Sequence, residues 1–432
     1  MIIGCIADDF TGASDIASFF SKGVLRTLLM NSIPASDFDP GESVQAVVLA
    51  LKIRSIDKED AVNLTIEAYT YLEKLGCRQI YFKYCSTFDS TPQGNIGPVT
   101  DVLIEKTGSR YTILCPALPV NGRTVKEGGL YVQGVPLHES SMKDHPVTPM
   151  WDFKISKLME TQGQYSCLDL SVTEMNSLQD IEDWISIQRN ETDQKPFYIV
   201  PEYYEEQHGK IIASLFKNLP LITGGSGLAE HLAALHSADL NPLYTVQETG
   251  QDVFPAGTVG RSIIFAGSCS KATREQIKQF VEEGGRSIEL NAFALQSNPE
   301  FKEKLIREIR DKQFSDILIH TSGNHPTERE VAATGLSQKD ISELFETTMA
   351  DLAELALEAG VTRIIIAGGE TSGAITERLG FQSFILSDSV APGVPVLTPL
   401  QNKAVRLVLK SGNFGQPDFF KQALAKTLEA HS

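Results

Sequence analysis

The stretch Val361-Thr-Arg-Ile-Ile-Ile-Ala-Gly-Gly-Glu-Thr-Ser-Gly-Ala-Ile375 constrains this chain most. Residues 364–367 are uninterruptedly apolar and read as a buried strand; Gly368 and Gly369 follow at once, and Glu370, Thr371, Ser372 and Gly373 then open a helix. Glycines let backbone approach a ligand closely and take positive φ. The unpaired N–H groups and dipole of a helix start suit a phosphate. A plain βα turn with a cap would use the same residue types, so the motif gains weight only from a second signal.

That signal lies at the other end of the chain. Residues 1–7 read as a strand, followed by Asp8-Asp9-Phe10-Thr11-Gly12-Ala13-Ser14-Asp15 and a helical pattern through Ile16, Ala17, Phe19 and Phe20. Adjacent carboxylates are costly together unless a cation or ligand uses them; capping of the helix by one Asp is the simpler use. Further strands are expected at 26–30, 46–51, 79–84 and 111–115, with helices at 60–75 and 99–106 between them. The alternation predicts an α/β fold of two domains, each built on a mostly parallel sheet flanked by helices. In such sheets ligands bind at the C-terminal strand ends.

Polar residues cluster at those ends. Lys52, Arg54 and Ser55 close one strand; Lys83, Ser86, Asp89 and Ser90 close another; Asn121, Gly122 and Arg123 follow a third. Arg offers a carboxylate a two-pronged fork and Lys a point charge. Local cations matter because the 432-residue chain carries a formal charge of −17. That charge disfavours broad nucleic-acid binding. No apolar stretch reaches membrane-spanning length, and the first residues read as a strand rather than a signal peptide. Six cysteines without a CxxC pair point to a reducing cytoplasm and away from zinc ribbons.

Residues 132–150 read as a long loop or hairpin, the kind of excursion that often covers a site; its His138 and His145 lack metal-ligand spacing. Residues 151–215 alternate without a motif. Gly224-Gly225-Ser226-Gly227 is a third strand–glycine–helix junction and, without a full dinucleotide fingerprint, a weak signal. Loop composition at 238–260 suggests domains at 1–240 and 258–432. Strands are then expected at 262–266, 287–290 and 316–320, a helix at 342–359, and loops at 389–395 and after residue 408. In Gly267-Ser268-Cys269-Ser270 the cysteine reads as a small buried residue, and Ser268 and Ser270 as hydroxyl donors facing phosphate or a sugar.

Taken together, Ala-Asp-Asp-Phe-Thr-Gly-Ala near the start and Ala-Gly-Gly-Glu-Thr-Ser-Gly near the end resemble the four-carbon acid sugar kinase family. The likeness extends through 82–90, Gly94-Asn-Ile-Gly-Pro98, 116–124, His145-Pro-Val-Thr-Pro149, 267–270 and Lys410-Ser-Gly-Asn-Phe-Gly415. The 116–124 block and the His-Pro-Val-Thr-Pro segment look most like the branch acting on 3-oxo-tetronate. The resemblance implies a sugar-acid-binding first domain and a nucleotide-binding second. It implies an ATP-dependent kinase acting on a 4-hydroxyl, with Mg²⁺ between the phosphates and protein carboxylates and with domain closure excluding water. ATP is expected at Ser268, Ser270, Gly368, Gly369, Glu370, Thr371 and Gly412. The acid is expected near Asp8, Asp9, Arg54 and Lys83, with Ser86, Asp89, Asn121 and Arg123 completing the strand-end pocket. Asp9 is favoured slightly over Asp8 as the base, with Asp89 next.

The expected partners are therefore a sugar acid and ATP, with no nucleic acid and no membrane; a homo-oligomer is compatible with the sequence but not required by it. Threonate or erythronate would suit the same pocket. A nicotinamide-dependent oxidoreductase should show GxGxxG with a later acidic residue, which is absent, as is the GxxxxGK[ST] loop. A sugar-acid sensor would need only the first half, and leaves the later glycine motifs without a use.

Overall fold

The computed structural model describes residues 1–35, 38–41, 43–143, 148–240, 257–311, 316–321, 328–412 and 414–429. His145, Asn413 and most of the expected 238–260 boundary lie outside them. The chain forms two compact units, Met1–Glu248 and Thr249–Ser432.

The first unit runs β1 (Ile3–Ala7), α1 (Phe10–Lys22), β2 (Thr27–Met30), β3 (Ala46–Ala50), α2 (Lys58–Lys74), β4 (Gln79–Lys83), α3 (Ile96–Thr107) and β5 (Tyr111–Cys115). A small excursion follows, β6 (Arg123–Lys126), β7 (Gly129–Val132) and β8 (Val135–Pro136). The unit then continues through α4 (Ile155–Glu160), β9 (Ser166–Leu170), α5 (Leu178–Glu191), β10 (Phe197–Pro201), α6 (Glu206–Phe216), β11 (Leu221–Gly224) and α7 (Ala229–Leu240). Its main sheet has the order β2-β3-β1-β4-β11-β5-β10-β9. Every neighbouring pair in it is parallel. β1, β3 and β4 are buried at every position, as strands covered by helices on both faces must be.

The 132–150 expectation is corrected in its start. The excursion is an antiparallel three-stranded sheet beginning at Arg123, with Arg123 opposite Val132 and Tyr131 opposite Pro136. Its turns use Glu127-Gly128 and Gln133-Gly134, all four at positive φ. Two-residue hairpins require that geometry to match strand twist, and Glu or Gln in the first position hides the usual Asn-Gly signal.

The second unit comprises β12 (Arg261–Ala266), α8 (Lys271–Glu282), β13 (Ser287–Glu289), α9 (Ala292–Ser297), α10 (Pro299–Arg310) and β14 (Asp316–His320). Next come α11 (Glu328–Thr334), α12 (Gln338–Glu358), β15 (Val361–Ala367), α13 (Gly369–Arg378), β16 (Ser383–Ala391), β17 (Val394–Pro399), β18 (Arg406–Lys410) and α14 (Phe419–Thr427). β13-β14-β12-β15-β18 are parallel neighbours. β17 and β16 add an antiparallel hairpin. The expected loop at 389–395 is thus largely strand, turning only at Pro392-Gly393, where Gly393 has φ 77. Ile264, Leu318, Ile365, Val396, Val408, Phe419 and Phe420 form one buried cluster in this unit.

The third glycine junction has a packing explanation. A Cβ at Gly224 would lie 2.2 Å from the Cys115 carbonyl oxygen, one at Gly225 2.6 Å from that of Pro116, and one at Gly227 2.2 Å from that of Ala117. These glycines let two backbones run side by side, and backbone cannot step away as a flexible side chain does. Gly224→Ala and Gly227→Ala are each expected to cost about 1–3 kcal/mol, in the range of overpacked cores, read as a lower Tm by calorimetry. An unchanged Tm in both would refute this account.

Candidate active site

In the first unit β3, β1 and β4 lie side by side in one register, with Ala7 opposite both Ala50 and Lys83. The chain passes from β3 across β1 to β4 here, so the strand order turns back and the C-terminal ends open a crevice. Past the strands the backbones stay together, Leu51 N donating to Ala7 O at 2.8 Å and Asp8 N to Lys83 O at 2.9 Å. Asp8, Asp9, Arg54 and Lys83 are thereby brought into one place.

Arg54 ties the carboxylates. Its Nε and Nη2 donate to the two oxygens of Asp8 at 2.8 and 3.0 Å. Nη2 also stands 2.9 Å from Asp9 Oδ2, and Nη1 3.8 Å from Asp89 Oδ2. Arg54, expected near the ligand's carboxylate, directs its Nε and Nη2 at Asp8. Burial pushes the Asp8 carboxyl up, with Arg54 opposing. At Asp9 burial also pushes up, but Arg54, Lys83 and the Gly12 N–H outweigh it, and the carboxyl ends below its usual range.

Asp9 is the N-cap of α1, accepting from Gly12 N at 2.5 Å. A Cβ on Gly12 would lie 2.6 Å from Asp9 Oδ1 and 3.1 Å from Lys83 Nζ, so glycine is needed for this close turn. The Asp9 side chain is 31% exposed against 6% for Asp8. Lys83 is buried and donates to Tyr84 O at 2.9 Å. Asp89 accepts from Thr87 Oγ1 at 2.6 Å. Ser86 is half-buried beside the Gly225 turn.

Asn121 offers its backbone carbonyl to Arg123 Nη1 and, at 3.2 Å, to Gln133 Nε2. Arg123 Nε is buried without a partner, a donor left open in the described structure.

Sequence reasoning missed Asp15 and Ser226. Asp15 lies on α1, where Ser226 Oγ donates to its Oδ2 and its Oδ1 has no partner. Burial raises its pKa to about 6, opposed by Lys83, the Ser226 hydrogen bond and Arg123. No metal-binding group of three or more His, Cys, Asp or Glu occurs among the described residues.

In the second unit the adjacent β12, β15 and β18 end together, Ser268 N donating to Ala367 O at 3.2 Å and Gly368 N to Lys410 O at 3.0 Å. Gly368 has φ 136 and ψ 132, a conformation left to glycine. Ser270 caps α8, accepting from Thr273 N at 3.2 Å and donating to Gly412 O at 2.6 Å. Its hydroxyl, expected to face phosphate, thus anchors the turn. A Cβ at Gly412 would lie 2.2 Å from Ser268 Oγ and 3.0 Å from Ser270 Oγ.

A cavity of about 160 Å³ opens here, with Ser268, Gly368, Gly369 and Thr371 on one side and Phe345 and Met349 of α12 on the other. Glu370 also lines it and is exposed. The α12 wall was unreadable in sequence, because Phe345 and Met349 look like any apolar pair at i, i+4. Burial raises the Cys269 thiol, which suits an inert cysteine.

Residues 3–232 match the sugar-binding N-terminal domain family and residues 263–420 the nucleotide-binding C-terminal domain family. A 3-oxo-tetronate kinase of Pectobacterium atrosepticum is 39% identical over 98% of both chains. One from Actinobacillus succinogenes is 37% identical over 98% of this chain and 99% of its own. A crystal structure from Salmonella typhimurium LT2, described for that protein as a candidate tRNA synthase, is 36% identical, with a TM-score of 0.84 over 98% of both chains. The chain is a two-domain α/β kinase. It belongs to the four-carbon acid sugar kinase family and is similar over its length to 3-oxo-tetronate kinases of that family. No helix of the described residues is long and apolar enough to cross a membrane.

Removing Arg54 should leave Asp8 buried and unpaired. Arg54→Ala is expected to lose about 3 kcal/mol in urea denaturation at pH 7, as broken buried pairs do. Asp8 is already raised in the folded state, and without Arg54 it would rise further. Its protonation needs no partner, so the defect should shrink as pH falls towards 4. A defect independent of pH would argue against this pairing.

Proposed function

We propose that this enzyme transfers the γ-phosphoryl group of ATP to the 4-hydroxyl of a four-carbon acid, 3-oxo-tetronate, giving its 4-phosphate and ADP. The observation that carries this reading is full-length similarity to 3-oxo-tetronate kinases, on a chain with polar strand-end sites in both units. The hydroxyl oxygen attacks the γ-phosphorus as the bond to the ADP oxygen breaks, and the hydroxyl proton passes to a carboxylate.

Asp9 suits that role. It is the more exposed of the adjacent pair and is held ionised. Asp8, locked into the Arg54 fork, orients the cluster. Lys83 and the open Nε of Arg123 are the cations we assign to the acid's carboxylate. In the second unit the Ser268, Gly368–Thr371 and Gly412 surfaces receive phosphate, and Phe345 and Met349 offer apolar area to the base.

The described carboxylates do not form a cage for Mg²⁺, since Arg54 occupies Asp8 and Asp9. Threonate and erythronate share the four-carbon acid chemistry and are the second substrates to test.

A coupled ADP-release assay across four-carbon acids, with the product's phosphate located by NMR, tests the reading. Phosphate at C4 of 3-oxo-tetronate supports it; turnover of none of the acids overturns it. Asp9→Asn should lower kcat by about 10²–10⁴-fold, the usual contribution of a general base, with KM for the acid nearly unchanged. A near-normal kcat would move the base elsewhere, first to Asp89. Gly412→Ala should weaken ATP binding in calorimetry while the acid's KM holds. Normal ATP affinity would remove Gly412 from the nucleotide site.

A further inference from the structure

Lys410 ends β18 with 0% exposure. Its ammonium donates to Gly412 O at 2.8 Å, to Thr273 Oγ1 at 3.0 Å and to Ser411 O at 3.1 Å. The groups around it are uncharged: Thr273 from α8, the carbonyls after β18, Ala367 at the same register on β15, and the Phe419 ring of α14 at 5.8 Å. Among the described residues no carboxylate pairs with it.

A buried cation with no counter-charge is costly, and proteins normally avoid it by pairing. Here the acceptors are the groups that shape the Gly412 turn and the start of α8. The same Gly412 carbonyl also receives Ser270 Oγ and Thr273 Oγ1.

We propose that Lys410 is a positioning residue whose missing counter-charge is the polyphosphate of the bound nucleotide, acting through the Gly412 turn and the α8 N-terminus. This rests on the nucleotide reading given above. Burial lowers the Lys410 pKa to about 7 in the free protein. An anion close by favours the charged form and should raise it again. Nucleotide binding must then take up a proton near and above neutrality, and very little at pH 6, where the ammonium is already charged.

Calorimetric titration of the full chain with ADP, repeated in buffers of different ionisation enthalpy, reads this directly. At pH 8, where the nucleotide itself is fully ionised, the wild type should take up roughly 0.5–1 proton per ADP, the range set by a group of pKa near 7 that is raised on binding. Lys410→Met should bind ADP at least tenfold more weakly at pH 6 and lose the uptake at pH 8. Lys410→Arg, charged at every pH, should restore part of the affinity without uptake.

Wild-type binding with no uptake at pH 8 overturns the proposal without touching the nucleotide reading, and needs no variant to fold. Unchanged affinity and uptake in Lys410→Met overturns it likewise. A wild type that binds no ADP overturns both.

Discussion

The first unit's site depends on one guanidinium. Three parallel strands end together, and two adjacent aspartates leave the central one. Without a cation between them, their mutual repulsion and desolvation would oppose the convergence that the sheet imposes. Arg54, arriving from the neighbouring strand, supplies two bonds to Asp8 and an ion pair to Asp9. The result is a division of labour between neighbours in sequence. Asp8 is buried and holds the cluster's geometry, while Asp9 caps α1 through one oxygen, meets Arg54 with the other and stays the more exposed of the two. The chemistry assigned to Asp9 therefore leans on a structural pair one residue away.

Glycine serves two purposes in this chain, and sequence cannot separate them. At Gly224, Gly225 and Gly227 the absent Cβ makes room for another backbone. At Gly412 it makes room beside the hydroxyls of Ser268 and Ser270. The first arrangement is backbone packing, and the second sets a turn against two hydroxyls, of which Ser268 also lines the cavity. Both follow a strand, so the sequence reads them alike. Only the identity of the atoms that a Cβ would meet tells them apart.

The parallel sheets were legible because most of their strands carry an apolar run and are separated by helical spacing. β5 and β14 fall where the apolar runs place them. The hairpins were less so: Glu127-Gly128 and Gln133-Gly134 take the positive φ of a tight turn without its common residues. In the site, residues immediately after strands were visible, since Asp8, Asp9, Arg54 and Lys83 break an apolar run. Asp15 sits further along α1, Ser226 is hidden among packing glycines, and Phe345 and Met349 belong to an ordinary amphipathic stripe. Their roles come from three-dimensional neighbours that no local spacing encodes. Ser270 shows the converse, a correctly placed hydroxyl already committed to Gly412.

With a formal charge of −17, the way each cation is neutralised is informative. Arg54 finds its partners inside the protein, so the cluster around it is complete in the free state and serves geometry. Arg123 keeps a buried N–H without an acceptor, and Lys410 keeps a buried charge among neutral groups. Such groups cost stability until something pairs with them. On the assignments proposed above, anionic ligands would repay that cost where they bind, concentrating their binding energy at Arg123 and Lys410 rather than over the surface. A protein that repels anions as a whole would in this way still hold the two that are proposed for it, an acid and a nucleotide, each at a cation that the fold has left incomplete.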